Sequence, residues 1–114
     1  VWESVVVDAV DPPRLARWWA EALGYQVTYE EADGVEIRPP ALPLPSLLFQ
    51  PVPEGKEGRN RLHLDLRPDD REAEVERLVD MGARHVDVGQ RADQPWTVLA
   101  DPEGNEFCVL SGRG

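Results

Sequence analysis

The chain has 114 residues, the length of one domain, and its 41% hydrophobic and 30% charged residues are far from a disordered composition. Twelve Lys and Arg stand against 22 Asp and Glu, and the net charge of −10 makes nucleic acid and anionic membrane poor partners. The single cysteine, Cys108, excludes an internal disulfide and a CxxC zinc site and fits a cytoplasmic protein, no apolar run approaches the roughly 18 residues of a membrane span, and no leader is visible at Val1.

Val1 to Val10 alternates weakly and is valine-rich, which predicts a strand. Asp11 follows as a helix N-cap, with Pro12 preset for the first helical position. Leu15, Trp18, Trp19, Ala22 and Leu23 form a one-sided helical stripe that Gly24 ends. Tyr25 to Glu30 predicts a strand, Asp33-Gly34 a turn and Val35 to Arg38 another strand. Four prolines between Pro39 and Pro45 predict an irregular bend, and Ser46 to Val52 returns to strand. Residues 53–60, PEGKEGRN, read as a linker between a first module, 1–52, and a second, 61–114.

In the second module, Arg61 to Arg67 alternates leucines against His63 and Asp65, the pattern of a two-faced strand. Asp69 and Glu72 resemble a capping box, Val75, Leu78 and Val79 give the helix its apolar face, and Gly82 ends it. Ala83 to Gly89 and Trp96 to Ala100 predict strands. Asp101-Pro102-Glu103-Gly104 predicts a type I turn, and Asn105 to Ser111 the last strand. Strand, helix and three strands thus occur twice, with Asp11 to Asp69 and Gly24 to Gly82 both offset by 58. The fold class is α+β: two βαβββ modules in one domain, curling their mixed sheets around a common cleft with the helices outside.

Strand period assigns the faces. Leu62, Leu64 and Leu66 are expected toward the helix, leaving His63 and Asp65 opposite. Phe107 and Val109 take the helix side, with Glu106, Cys108 and Leu110 toward the cleft. Leu47 and Phe49 are core, Leu48 and Gln50 cleft-facing, and Trp2, Ser4, Val6 and Asp8 share a face.

The segments VDAVDPPRLARWWAEALGYQV, LLFQPVPEGKEGRNRLHLDLRPDD and VLADPEGNEFCVL resemble the vicinal oxygen chelate superfamily, in particular its glyoxalase-like domains of the glyoxalase/bleomycin resistance protein/dioxygenase type. The resemblance implies frequent homodimers, a site inside the cleft, and chemistry ranging from isomerisation and ring-cleaving oxygenation to plain drug binding. It implies one metal ligand on the first and last strand of each module, positions that fall on Ser4, near Gln50, on His63 and on Cys108. Only His63 is the favoured type, Gln50 is a weak neutral ligand, and no carboxylate balances a divalent charge. No cofactor is therefore expected; a divalent metal, if present, would use His63 and Gln50.

Each residue has a plainer alternative. His63 can be a hydrogen-bonded interior histidine, Asp65 a partner of Arg67 or Arg61, and Cys108 a small buried hydrophobe with Glu106 raising its pKa. Trp18 and Trp19 are core, with one packing inward and the other skirting the sheet edge or a dimer partner. Trp96 can stack on a ligand or only pack.

The leading expectation is a metal-free binding protein whose cleft residues are Ser4, Leu48, Gln50, His63, Asp65, Trp96, Glu106 and Cys108, selecting a cationic aromatic small molecule. The alternative is a divergent enzyme of lyase, isomerase or dioxygenase type, with His63 as base or metal ligand. The tryptophan pair and the resemblance both point to a homodimer.

Overall fold

The computed structural model describes residues 3–41, 45–58, 60, 62–86 and 95–111. Trp2, Arg61, part of the 39–45 bend and the end of the predicted 83–89 strand lie outside the described residues. The chain divides into two compact units, Val1–Gly55 and Lys56–Gly114.

The first unit contains β1 (Ser4–Ala9), α1 (Pro12–Leu23), β2 (Gln26–Glu31), β3 (Gly34–Arg38) and β4 (Ser46–Pro51). Its sheet runs β1-β4-β3-β2, with β1 and β4 parallel and the other pairs antiparallel. Asp11 caps α1 through its carboxylate, which accepts from the Arg14 N–H at 3.3 Å, and prolines fill the first turn where no N–H is needed. Gly24 closes the helix at φ 71°, a left-handed conformation that a side chain would strain, and the Tyr25 N–H reaches back to the Ala20 carbonyl at 2.9 Å.

Helix α1 buries Leu15, Ala16, Trp18, Trp19 and Ala22, and the sheet contributes Val35, Ile37, Leu47 and Phe49 to the same core. Trp18 and Trp19 meet edge to face, with centroids 5.0 Å apart at 83°. Both are buried, at 8% and 4% exposure, so the expectation that one indole skirts the sheet edge is corrected. The Asp33-Gly34 turn is also corrected. The hairpin turns at Ala32-Asp33, and Gly34 is already in β3, its φ not positive. Gly34 is there for space, since a Cβ would stand 3.1 Å from the Phe49 carbonyl oxygen and 3.2 Å from a Leu48 methyl.

The second unit repeats the plan with β5 (Asp65–Leu66), α2 (Arg71–Asp80), β6 (Arg84–His85), β7 (Trp96–Ala100) and β8 (Glu106–Leu110). The sheet order is β5-β8-β7-β6, and β5 and β8 are parallel. Two four-stranded mixed sheets with two helices make the fold α+β, built of two βαβββ modules.

The cap of α2 is Asp70, not Asp69: its carboxylate accepts from the Ala73 N–H at 3.2 Å. Gly82, at φ 111°, ends the helix in a Schellman motif, with Gly82 N–H on the Val79 carbonyl and Ala83 N–H on the Leu78 carbonyl, each at 3.0 Å. The terminating glycines keep the offset of 58, but α2, at 10 residues, is two shorter than the 12-residue α1. Of its apolar face only Leu78 is buried.

The predicted Arg61–Arg67 strand shrinks to Asp65–Leu66, and Leu62 is 78% exposed rather than facing the helix. The reason is Asn60. Its carboxamide donates to the Glu106 carbonyl at 3.0 Å and accepts from the Glu106 N–H at 3.2 Å, taking both backbone groups that a longer β5 would pair. The ladder resumes where the Cys108 N–H meets the Leu64 carbonyl at 2.9 Å.

The 101–104 turn closes with the Gly104 N–H on the Asp101 carbonyl at 2.8 Å. The fully buried Asp101 carboxylate also accepts from the Glu103 and Asn105 N–H groups, both at 2.9 Å, and from the Asn105 side chain at 3.0 Å.

Candidate functional site

Each sheet gives one face to its helix and leaves the other free, and strand register says which side chains share the free face. In the first unit Ser4 stands opposite Ser46, Val6 opposite Leu48, and Asp8 opposite Gln50, with Glu36 beside Leu48 on β3. In the second, Asp65 stands opposite Cys108, Cys108 opposite Val98, Glu106 opposite Ala100, and Leu110 opposite Trp96. The structure thus places Ser4, Leu48 and Gln50 on the free face of the first unit. Asp65, Trp96, Glu106 and Cys108 lie on that of the second, with His63 reaching Asp65 just before β5.

The two parallel pairs correspond. Val7 and Phe49 pair on the helix side of the first sheet, as Leu66 and Val109 do in the second. The position matching Cys108 is therefore Leu48, the one matching Asp65 is Val6, and the one matching His63 is Ser4. Gln50 lies two residues further along and donates to the Asp8 carboxylate at 2.7 Å. Ser4 and Gln50 sit at opposite ends of the β1–β4 pair, roughly 13 Å apart along the strand. They do not meet on one ion, so the residues present do not fit a divalent centre with ligands on all four strands.

In the second unit the His63 Nε2 lies 3.2 Å from the Asp65 Oδ1, both side chains about half exposed. The Cys108 thiol joins them, so that a donor atom from each of the three lies within 4.8 Å of the others. Burial raises the Cys108 pKa, and the Asp65 charge and hydrogen bond raise it further. The residue acting on the thiol is Asp65, not the expected Glu106. Glu106 instead pairs with Lys56 at 3.0 Å, which cancels its charge locally. Nor does Asp65 take Arg67 as its partner, for that guanidinium donates to the Ser111 carbonyl at 2.7 Å.

Sequence reasoning missed the polar group of the first unit. Arg38 grips Glu36 with two hydrogen bonds at 2.8 and 2.9 Å, Thr28 donates to it at 2.8 Å, and Ser46 at 3.4 Å. Burial pushes the Glu36 pKa up, but the donors and the Arg38 charge outweigh it and hold the carboxyl below its ordinary value. The signal was present: Val35 and Ile37 are core, so a period of two puts Glu36 and Arg38 on the free face. On the helix side of the second unit, an open groove of about 470 Å³ runs between α2 and the β6–β7 edge, lined by Val75, Val79, His85 and Thr97.

The profile of the glyoxalase-like domain matches residues 4–110. No curated protein sequence matches the chain. Among solved structures, a glyoxalase/bleomycin resistance protein/dioxygenase family enzyme from Burkholderia phytofirmans PsJN is 16% identical, covers 97% of this chain and 98% of its own, and superposes with a TM-score of 0.75. TnmS3, an antibiotic binding protein from Streptomyces sp. CB03234, is 18% identical over 99% of this chain and 96% of its own, with a TM-score of 0.65. A bleomycin resistance determinant encoded on the transposon Tn5 is 16% identical over 100% and 99%, with a TM-score of 0.66. With a profile match over nearly its whole length and this fold, the chain belongs to the glyoxalase-like domain family of the vicinal oxygen chelate superfamily.

Proposed function

We propose that this chain binds a small molecule on the helix-free faces of its modules, without a resident divalent metal or other cofactor. The observation that carries the reading is the register of β1 and β4. It puts Val6 and Leu48 where Asp65 and Cys108 stand in the second unit, so the first unit offers apolar contact surface in place of ligands. Two structural neighbours, an antibiotic binding protein and a bleomycin resistance determinant, support binding as the activity.

The ligand we propose is a cation with a flat apolar body. Lys56 neutralises Glu106, so Asp65 is the carboxylate that draws the cation, and Trp96 supplies an aromatic wall on the same sheet face. The cytoplasm is the proposed location, in keeping with a single cysteine. A homodimer remains part of the proposal on different grounds from the tryptophans. Edge strand β2 leaves Val27 and Tyr29 exposed, which suits pairing with a second copy.

The test is titration of a cationic and an anionic aromatic compound, followed by tryptophan fluorescence. The cation is expected to bind preferentially, Asp65→Asn to weaken it about tenfold, or about 1.4 kcal/mol, and Glu31→Gln to leave it unchanged. Preference for the anion, or equal loss in both variants, overturns the reading. One observation favours a second reading, a divergent lyase, isomerase or dioxygenase-like enzyme. The Asp65 carboxylate at 3.2 Å orients the His63 imidazole as a general base would require.

A further inference from the structure

The 53–60 linker grips one residue of β8 twice. Asn60 brackets the Glu106 backbone, donating to its carbonyl at 3.0 Å and accepting from its N–H at 3.2 Å. Four residues earlier, the Lys56 ammonium meets the Glu106 carboxylate at 3.0 Å and also donates to the Gly58 carbonyl. Both side chains of this pair are about four-fifths covered, so solvent and salt screen it less than a surface pair. Asp65, on the same sheet face, is about half exposed.

We propose, resting on the cationic ligand proposed for this face, that Lys56 sets that ligand's charge: by occupying the second of two carboxylates, it restricts the face to a monocation. Asp65 is level with Cys108, and Glu106 lies two residues earlier on β8. Two residues along a strand and one strand across separate the two positions by roughly 8 Å. An aromatic ring with a cation at each para end spans such a gap, so the pair of carboxylates without Lys56 would favour a dication. With Lys56 in place, the second charge reaches Glu106 only by displacing an ammonium from it. One cation then replaces another, and the second charge adds little affinity. Among the described residues, the other cations near this face sit elsewhere. Arg84 lies beyond Ala100, two strands from Glu106, and the Arg67 guanidinium is on the Ser111 carbonyl at 2.7 Å. Asn60 still holds the linker to β8 when Lys56 is replaced, so the charge of the face changes without loss of the anchor.

The experiment is calorimetric titration of the full chain with two permanently charged probes built on one ring, benzyltrimethylammonium and para-xylylenebis(trimethylammonium). The readout is the ratio of their dissociation constants within each variant, with circular dichroism confirming that the variant is folded. Lys56→Met keeps most of the stem, removes the charge, and should raise the preference for the dication about fivefold over the parent. Adding Glu106→Gln to Lys56→Met should return the ratio to the parent value, because the uncovered carboxylate is gone. Arg14→Gln, the same change in net charge made at an exposed position of α1, should leave the ratio unchanged. An unchanged ratio in Lys56→Met, in a parent that binds the monocation through Asp65, overturns the role of Lys56 and leaves the binding reading standing. A gain that persists in the double variant, or an equal gain in Arg14→Gln, overturns it too, by showing net charge rather than Glu106 at work. A parent and Lys56→Met that bind neither probe overturn the binding reading and the role of Lys56 together.

Discussion

Asp101 is the buried group whose removal the structure makes easiest to cost. Its carboxylate accepts from two backbone N–H groups and one side-chain amide within five residues, and it is fully buried. In Asp101→Ala the Glu103 and Asn105 N–H groups lose their acceptor, while the backbone bond from Gly104 to residue 101 survives. Hydrogen bonds to a charged acceptor contribute roughly 1.5–3 kcal/mol each when buried. Glu103 and Asn105 are only half-buried, so water recovers part of the loss. About 3 kcal/mol of destabilisation is expected in all, and about 1 kcal/mol for Asp101→Asn, which keeps the shape and one acceptor oxygen. Urea unfolding followed by circular dichroism and tryptophan fluorescence measures both, with the midpoint moving and the slope constant. A loss below about 0.5 kcal/mol in Asp101→Ala, the size of an ordinary surface substitution, would refute the reasoning.

Glu36 has a pKa held below its ordinary value, so the stability it contributes is fully present above the unfolded pKa, near 4.5, and disappears as pH falls through the lower folded value. Glu36→Gln is expected to flatten the loss of stability below about pH 4.5, read as unfolding midpoints across acid pH; an unchanged slope would mean that Arg38 does not hold the carboxylate. Asp70→Ala is expected to cost about 1 kcal/mol through loss of the α2 cap, and Asp69→Ala little; thermal melts with the reverse order would return the cap to Asp69.

The helix ends and the strand faces were legible because they are local. Asp11 acts through its own side chain, Pro12 and Gly24 through their own backbone conformation, and alternation in Ser46–Gln50 and Glu106–Leu110 separates core from free face without reference to any neighbour. Register was not legible. Nothing in one strand's pattern says whether Leu48 or Gln50 stands level with the middle of β1, and that two-residue difference decides which side chains meet. Asp69 and Asp70 are adjacent and chemically alike, so only the helix geometry chooses between them. Asn60 misled for a related reason: a side chain imitating a backbone strand leaves the leucine alternation intact while removing the sheet that would use it. His63 and Asp65 were placed on one side by period alone, whereas their meeting with Cys108 depends on a pairing between positions more than 40 residues apart.

The two helices are unequal copies of one plan. Helix α1 seats two indoles, a leucine and two alanines in its core, whereas α2 seats Leu78 and leaves an open groove along its flank. Cohesion is therefore shared unevenly between the repeats. Backbone amides of α2 are expected to exchange with solvent through local opening at a lower free energy than those of α1, as hydrogen exchange would read. A protease that samples the native protein is expected to find its first extended substrate in the second repeat. Duplication supplied two equivalent scaffolds, and divergence has made one of them the anchor and the other the part that yields.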